Sequence, residues 1–86
     1  MPEISRFLGI IIAMYFNEHN PPHFHARYGS EKVEIAIDGL AVLTWRLPPR
    51  VLGLVMEWAA RHRQDLMEDW DLARRDATLK KIPPLE

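Results

Sequence analysis

Between residues 23 and 47 the chain runs through three short alternating segments, HFHARY, KVEIAI and AVLTWRL, separated by Gly29-Ser30 and Asp38-Gly39. A period of two gives each strand two chemically different faces. Turns this short join only antiparallel neighbours, and Asp-Gly is a strong hairpin signal. In the first segment Phe24, Ala26 and Tyr28 share one face, and His23, His25 and Arg27 share the other. In the second, Val33, Ile35 and Ile37 oppose Lys32, Glu34, Ala36 and Asp38. In the third, Leu43, Trp45 and Leu47 oppose Thr44 and Arg46.

The flanking segments complete a simple order. Residues 7–16, FLGIIIAMYF, are β-branched and aromatic enough for a buried strand. They follow Arg6 in the manner of a signal-peptide core, but Glu3 lies upstream and no small-residue cleavage site follows. They are also too short to span a membrane. After the fourth strand, Pro48-Pro49 opens a helix, where proline costs little. Leu52, Val55, Ala59, Leu66, Trp70 and Ala73 recur on it as one apolar stripe. The predicted fold is a single α+β domain over residues 1–86 in ββββα order. Its four antiparallel strands cover about 7–16, 23–28, 32–37 and 41–47. One long helix over about 49–76, bending near Arg63, packs on the apolar face and leaves His23, His25, Arg27, Glu34, Thr44 and Arg46 on the open one. Residues 77–86 form a tail that Pro83 and Pro84 keep from being helical.

Composition narrows the function classes. Eighty-six residues hold one core, and a chain this short is helped by a second copy or a partner. Charged residues at 27% and hydrophobic residues at 48% belong to a folded globule. A net charge of −1 argues against binding long nucleic acids by bulk charge alone and leaves local basic patches. Without cysteine there is no disulfide, thiolate nucleophile or Cys-type zinc site, which fits a reducing, cytoplasmic setting.

The polar chemistry gathers in NEHNPPHFHARYG, residues 17–29, where three histidines fall within seven residues. His23 and His25 at i, i+2 on a strand point the same way. His19 in the preceding turn supplies a third imidazole and Glu18 an oxygen, so His19, His23 and His25 form a candidate site for zinc or another divalent metal. The plainer reading is that they are polar turn and surface residues positioned by Pro21 and Pro22.

Three stretches carry a family resemblance. MPEISRFLGIIIAMYFNEHNPPHFHARYG, RLPPRVLGLVMEWAARHRQDLMEDWDLAR and LKKIPPL resemble the bacterial family called domain of unknown function 4160. The block from Tyr15 to His25 is its most specific piece. Members are small stand-alone proteins, often encoded beside a protein of the domain of unknown function 2442 family. Such pairs look like toxin–antitoxin modules, with this family in the toxin-like role. The resemblance therefore implies a small adjacent-gene protein as partner and an activity on RNA, and it supplies no catalytic residue.

For RNA cleavage by 2′-hydroxyl attack, histidine is the side chain that titrates near neutrality. His23 and His25 are then the candidate base and acid, and Arg27 or Arg46 the bidentate holder of a phosphate. This candidate catalytic set needs no metal. A non-catalytic interaction or metal-binding domain is the alternative from another class. It would keep its partner contacts after the histidines were replaced.

Other residues are read as structural. His62 lies on the helix stripe as a partly buried histidine with a hydrogen-bonding partner, and Trp58 and Trp70 as packing. Gly53 inside the helix costs about 1 kcal/mol against alanine, pointing to close approach of a strand. Arg61, Arg63, Arg74, Arg75, Lys80 and Lys81 are interleaved with acids as a solvated face. The first strand is apolar on both sides. Its second side needs cover from the tail (Leu79, Ile82, Leu85), a homodimer or another partner, unless the strand is simply central.

Overall fold

The computed structural model describes residues 2–86. Five strands form one antiparallel sheet in chain order: β1 Glu3–Phe7, β2 Ile10–Ala13, β3 His23–Tyr28, β4 Glu31–Ala36 and β5 Val42–Arg46. Two helices follow, α1 Pro49–Arg61 and α2 Arg63–Arg74. The architecture is α+β as expected, but the sheet has five strands and the helix is broken.

The extra strand comes from a hairpin inside the apolar run. Leu8 and Gly9 both take positive φ, 50° and 79°, and Phe7 pairs directly with Ile10 across them. Two central residues with positive φ give the tight turn whose twist matches a hairpin. Leu8 tolerates the conformation at the tip, where it is 67% exposed. The run folds back on itself, so Phe7, Ile10, Ile12 and Met14 are all buried.

The core lies between the sheet and the helices. Ile12, Phe24, Val33 and Ile35 meet Val55, Trp58 and Ala59 in it. Phe7 and Phe24 both pack on the Trp58 ring, at 5.6 and 6.0 Å between centroids. On β5 the expected inward set fails: Leu43 and Trp45 are exposed, and only Leu47 just beyond the strand is buried. A register shift between Glu34 and Ile35 skips Leu43, and Trp45 has φ 58°. Both departures turn side chains off the core-facing alternation.

The helix breaks at His62, with φ −124° and ψ 26°, one residue from the expected bend. No proline or glycine is there. Instead the His62 N–H donates to the Ala59 carbonyl at 3.1 Å, a tighter i→i−3 bond. The His62 ring packs on Trp58 at 5.4 Å, and its Nδ1 donates to Asp65 at 3.1 Å. α2 ends at Arg74, short of Asp76, whose φ is 55°. Gly53 is exposed, and nothing lies within 4 Å of where a Cβ would sit, so no strand approaches it. Gly53→Ala is therefore expected to raise stability by about 0.5–1 kcal/mol in urea denaturation, through the helix alone.

The tail covers the first hairpin. The Ile82 N–H donates to the Ile4 carbonyl at 2.8 Å, and Trp58 Nε1 donates to the Pro83 carbonyl at 2.8 Å. Ile82 is buried, and Leu79 and Leu85 pack against the same core. Ile10, Ile12 and Met14 of the apolar run are thus covered by the chain itself, while Leu8 and Phe16 remain exposed. Lys80 binds Asp65 at 2.9 Å and also Glu68. These acids hold its ammonium well above the ordinary lysine range, while Lys80 and then His62 hold the Asp65 carboxyl below its own.

Asp69 anchors the same junction at some cost. It is fully buried. Oδ1 accepts the Lys80 backbone N–H at 2.9 Å, and Oδ2 has no partner. Burial pushes the carboxyl above its ordinary range, against the pull of the Lys80 hydrogen bond. An acid raised in the folded state favours folding most when protonated. Its contribution therefore falls as pH rises from the unfolded value through the folded one. Asp69→Asn keeps the acceptor and cannot ionise. Its stability should decline less than the parent's from about pH 4 to about pH 7, as read by urea denaturation at each pH; parallel profiles would refute this.

Candidate functional site

The loop from Met14 to Pro22 brings the site together. Asn17 has φ 57°, and its side-chain amide donates to Asp76 at 2.9 Å, tying the loop to the end of α2. The Asn20–Pro21 peptide is cis, and the Pro22 carbonyl accepts the Ile37 N–H at 3.0 Å. Glu18 is thereby held over the start of β3, where His23 and His25 emerge.

Glu18 Oε1 lies 2.7 Å from His25 Nε2 and 3.2 Å from His23 Nε2. The other ring nitrogens are also engaged. His23 Nδ1 is 2.8 Å from the Pro21 carbonyl, which can only accept, so Nδ1 carries a proton and donates. His25 Nδ1 faces Glu34 Oε2 at 3.7 Å, and Glu34 is its direct cross-strand neighbour. One ligand atom from each of Glu18, His23, His25 and Glu34 lies within 4.8 Å of the others. The Tyr15 ring meets His25 edge-on at 4.5 Å.

Beside this cluster runs a basic row. The register aligns Arg6, Ile11, Arg27, Lys32 and Arg46 across all five strands. Arg6 is paired with Glu3 at 2.7 Å, which holds that carboxyl below its ordinary range. Arg27, Lys32 and Arg46 enter none of the ion pairs among the described residues. All three are exposed, and Lys32 Nζ sits 4.2 Å over the Trp45 ring. A shallow depression lined by Tyr15, His25, Arg27 and Lys32 joins the row to the cluster.

The sequence-predicted residues are thus partly gathered. His25, Arg27 and Arg46 lie on the uncovered face as expected. His23 does not: only 6% exposed, it packs on Trp70 of α2 at 5.3 Å. The helix break lets α2 reach a ring that alternation had assigned to the open side. His19 is exposed and stands outside the four-residue cluster, so its place in the predicted metal set passes to Glu18. Glu34, Lys32 and Tyr15 were missed as site members. The pairing of Glu34 with His25 and of Lys32 with Arg27 follows from the short Gly29-Ser30 turn; the placement of Tyr15 has no such signal.

The family described as Domain of unknown function (DUF4160) matches residues 9–71, and the chain belongs to it. That stretch contains Glu18, the three β3 residues, Glu34 and the basic row except Arg6, and it ends before the tail. No curated protein and no solved structure matches the chain. Among the described residues, no helix is long and apolar enough to cross a membrane.

Proposed function

We propose that the domain binds RNA along the open face of its sheet, as the toxin-like component of a two-protein module. One observation carries the reading: Arg27, Lys32 and Arg46 stand directly opposite one another on three adjacent strands, with Glu34 beside the row turned toward His25. Like charges directly opposite one another destabilise a sheet, so folding alone disfavours this row. A polyanion with regularly spaced charges relieves it. The chain's net charge of −1 does not oppose this, because acids such as Glu57, Glu68 and Asp71 lie on the helices. Trp45, 52% exposed beside Lys32, offers a surface on which a base can stack. His25 borders the row through the shared depression, so a phosphate held by the row would lie beside the cluster. His23, buried beneath Trp70 and hydrogen-bonded through Nδ1, is poorly placed to touch substrate, so the histidine pair is not a metal-free acid and base in this reading.

The test is fluorescence polarisation of a labelled single-stranded RNA against the parent and the Arg27→Ala/Lys32→Ala/Arg46→Ala variant. Three phosphate contacts contribute a slope of about −2 in log affinity against log salt. The variant is expected to lose that dependence, bind weakly whatever the RNA sequence, and remain folded, because the repulsion goes with the charges. A parent that does not bind RNA, or a variant that binds equally well, refutes the proposal. In cells, growth arrest by the parent and not by the variant is the corresponding result.

A second reading has its own support. β5 is an edge strand exposed along its whole length, and Val42 and Leu43 are each 42% exposed there. Exposed apolar edges are places where a partner strand adds. If the module works by protein contact alone, Val42→Lys/Leu43→Lys abolishes binding of the adjacent-gene protein, and the triple alanine variant retains it.

A further inference from the structure

We infer that Glu18, His23 and His25 form a binding site for one divalent transition-metal ion, with Glu34 and the Pro21 carbonyl orienting the histidines. The inference is independent of RNA binding. It starts from where the lone pairs point. The Pro21 carbonyl fixes the His23 proton on Nδ1, so in the neutral ring Nε2 presents a lone pair toward Glu18 Oε1 at 3.2 Å. His25 directs Nε2 at the same oxygen from 2.7 Å, with Glu34 on the side of its Nδ1. The His23 Nε2 lone pair and the Glu18 oxygen are two acceptors facing each other, a repulsion that a cation between them relieves. That cation would take the place of the proton by which His25 Nε2 binds Glu18.

Two features favour a metal ion as that cation. Ligands about 2.0–2.1 Å from a tetrahedral or octahedral ion are separated by roughly 3.0–3.4 Å. The 3.2 Å from Glu18 to His23 Nε2 has that spacing, and the 2.7 Å to His25 would have to widen by a few tenths of an ångström. The outer groups also follow the pattern of metal-ligating histidines, in which the far ring nitrogen donates to a backbone carbonyl or a carboxylate. The Pro21 carbonyl accepts from His23 Nδ1 at 2.8 Å, and the Glu34 carboxylate lies on the Nδ1 side of His25 at 3.7 Å. Two imidazoles and one carboxylate suit zinc, iron(II), manganese or cobalt, and leave positions free for water or substrate. Those positions adjoin the depression shared by Tyr15, Arg27 and Lys32.

Zinc(II) and cobalt(II) titrations of the metal-stripped full-length chain test the site, with isothermal calorimetry for stoichiometry and the cobalt visible spectrum for geometry. One ion per chain is expected, with a cobalt spectrum characteristic of nitrogen and oxygen ligands. Glu18→Gln and His25→Gln, both of partly exposed residues, should abolish it while the circular dichroism spectrum is kept. Glu34→Gln should weaken affinity about 10–100-fold as an outer-shell change. His19→Ala should leave it unchanged, because His19 lies outside the cluster. Absence of saturable binding overturns the proposal, and so does equal loss in His19→Ala, which would mean adventitious binding by a histidine-rich loop.

Discussion

A chain ending at Thr78 is expected to lose its cooperative unfolding transition. Residues 79–86 have no regular secondary structure, yet they close the core over β1. Ile82 is 3% exposed, and exposing a side chain of that size costs about 1.5–3 kcal/mol. Removing Pro83 also leaves the buried Trp58 N–H without its acceptor, which costs about 1–3 kcal/mol more. The Lys80 bonds to Asp65 and Asp69 go too, leaving the buried Asp69 carboxylate with no donor. Total stability for 86 residues is about 4–13 kcal/mol at the usual value per residue. The loss is a large part of it. Thermal melts followed by circular dichroism should show a broad, low transition or none. A truncated chain that melts like the parent would mean that the tail is an attachment and not part of the core.

Much of this arrangement was legible in the residues because it depends on local periodicity. The alternation of β3 and β4, joined by a short turn, set which side chains face each other, so His25 and Arg27 were correctly placed on the open face. Pro48-Pro49 marked the helix start for a purely steric reason. The misses share a different cause. The Leu8-Gly9 turn sits inside an unbroken apolar run, where hydrophobicity hides the turn and only the lone glycine marks it. The break at His62 involves neither proline nor glycine and is stabilised by contacts with Trp58 and Asp65. The covering of His23 follows from that break, since it depends on where α2 carries Trp70. Glu18 was visible as an extra oxygen beside the histidines. Its pivotal place, within reach of both Nε2 atoms, depends on the fold of the loop and not on spacing.

The three tryptophans should separate by role when each is replaced with alanine. Trp58→Ala is expected to cost about 3–5 kcal/mol, the range for deleting a buried aromatic ring. Trp58 is fully buried, and Phe7, Phe24 and His62 all pack on its ring, so no neighbour can fill the space without moving. Trp58→Phe should cost less, because most of the ring contact survives and only the bond to the Pro83 carbonyl is lost with the N–H. Trp70→Ala should fall below Trp58→Ala, since Trp70 Nε1 is already buried without a partner and its removal ends that penalty along with the packing on His23. Trp45→Ala stands apart. The residue is 52% exposed and its one specific contact is with Lys32, an interaction worth about 0.5–1 kcal/mol at such sites. Stability should therefore barely change, whereas RNA affinity should drop by about 1–3 kcal/mol if a base stacks there. Urea denaturation and RNA titration of the same preparations read the two quantities independently. A Trp45→Ala chain that unfolds like Trp58→Ala would make the indole structural, and one that keeps full RNA affinity would remove stacking from the binding surface and leave the basic row to act alone.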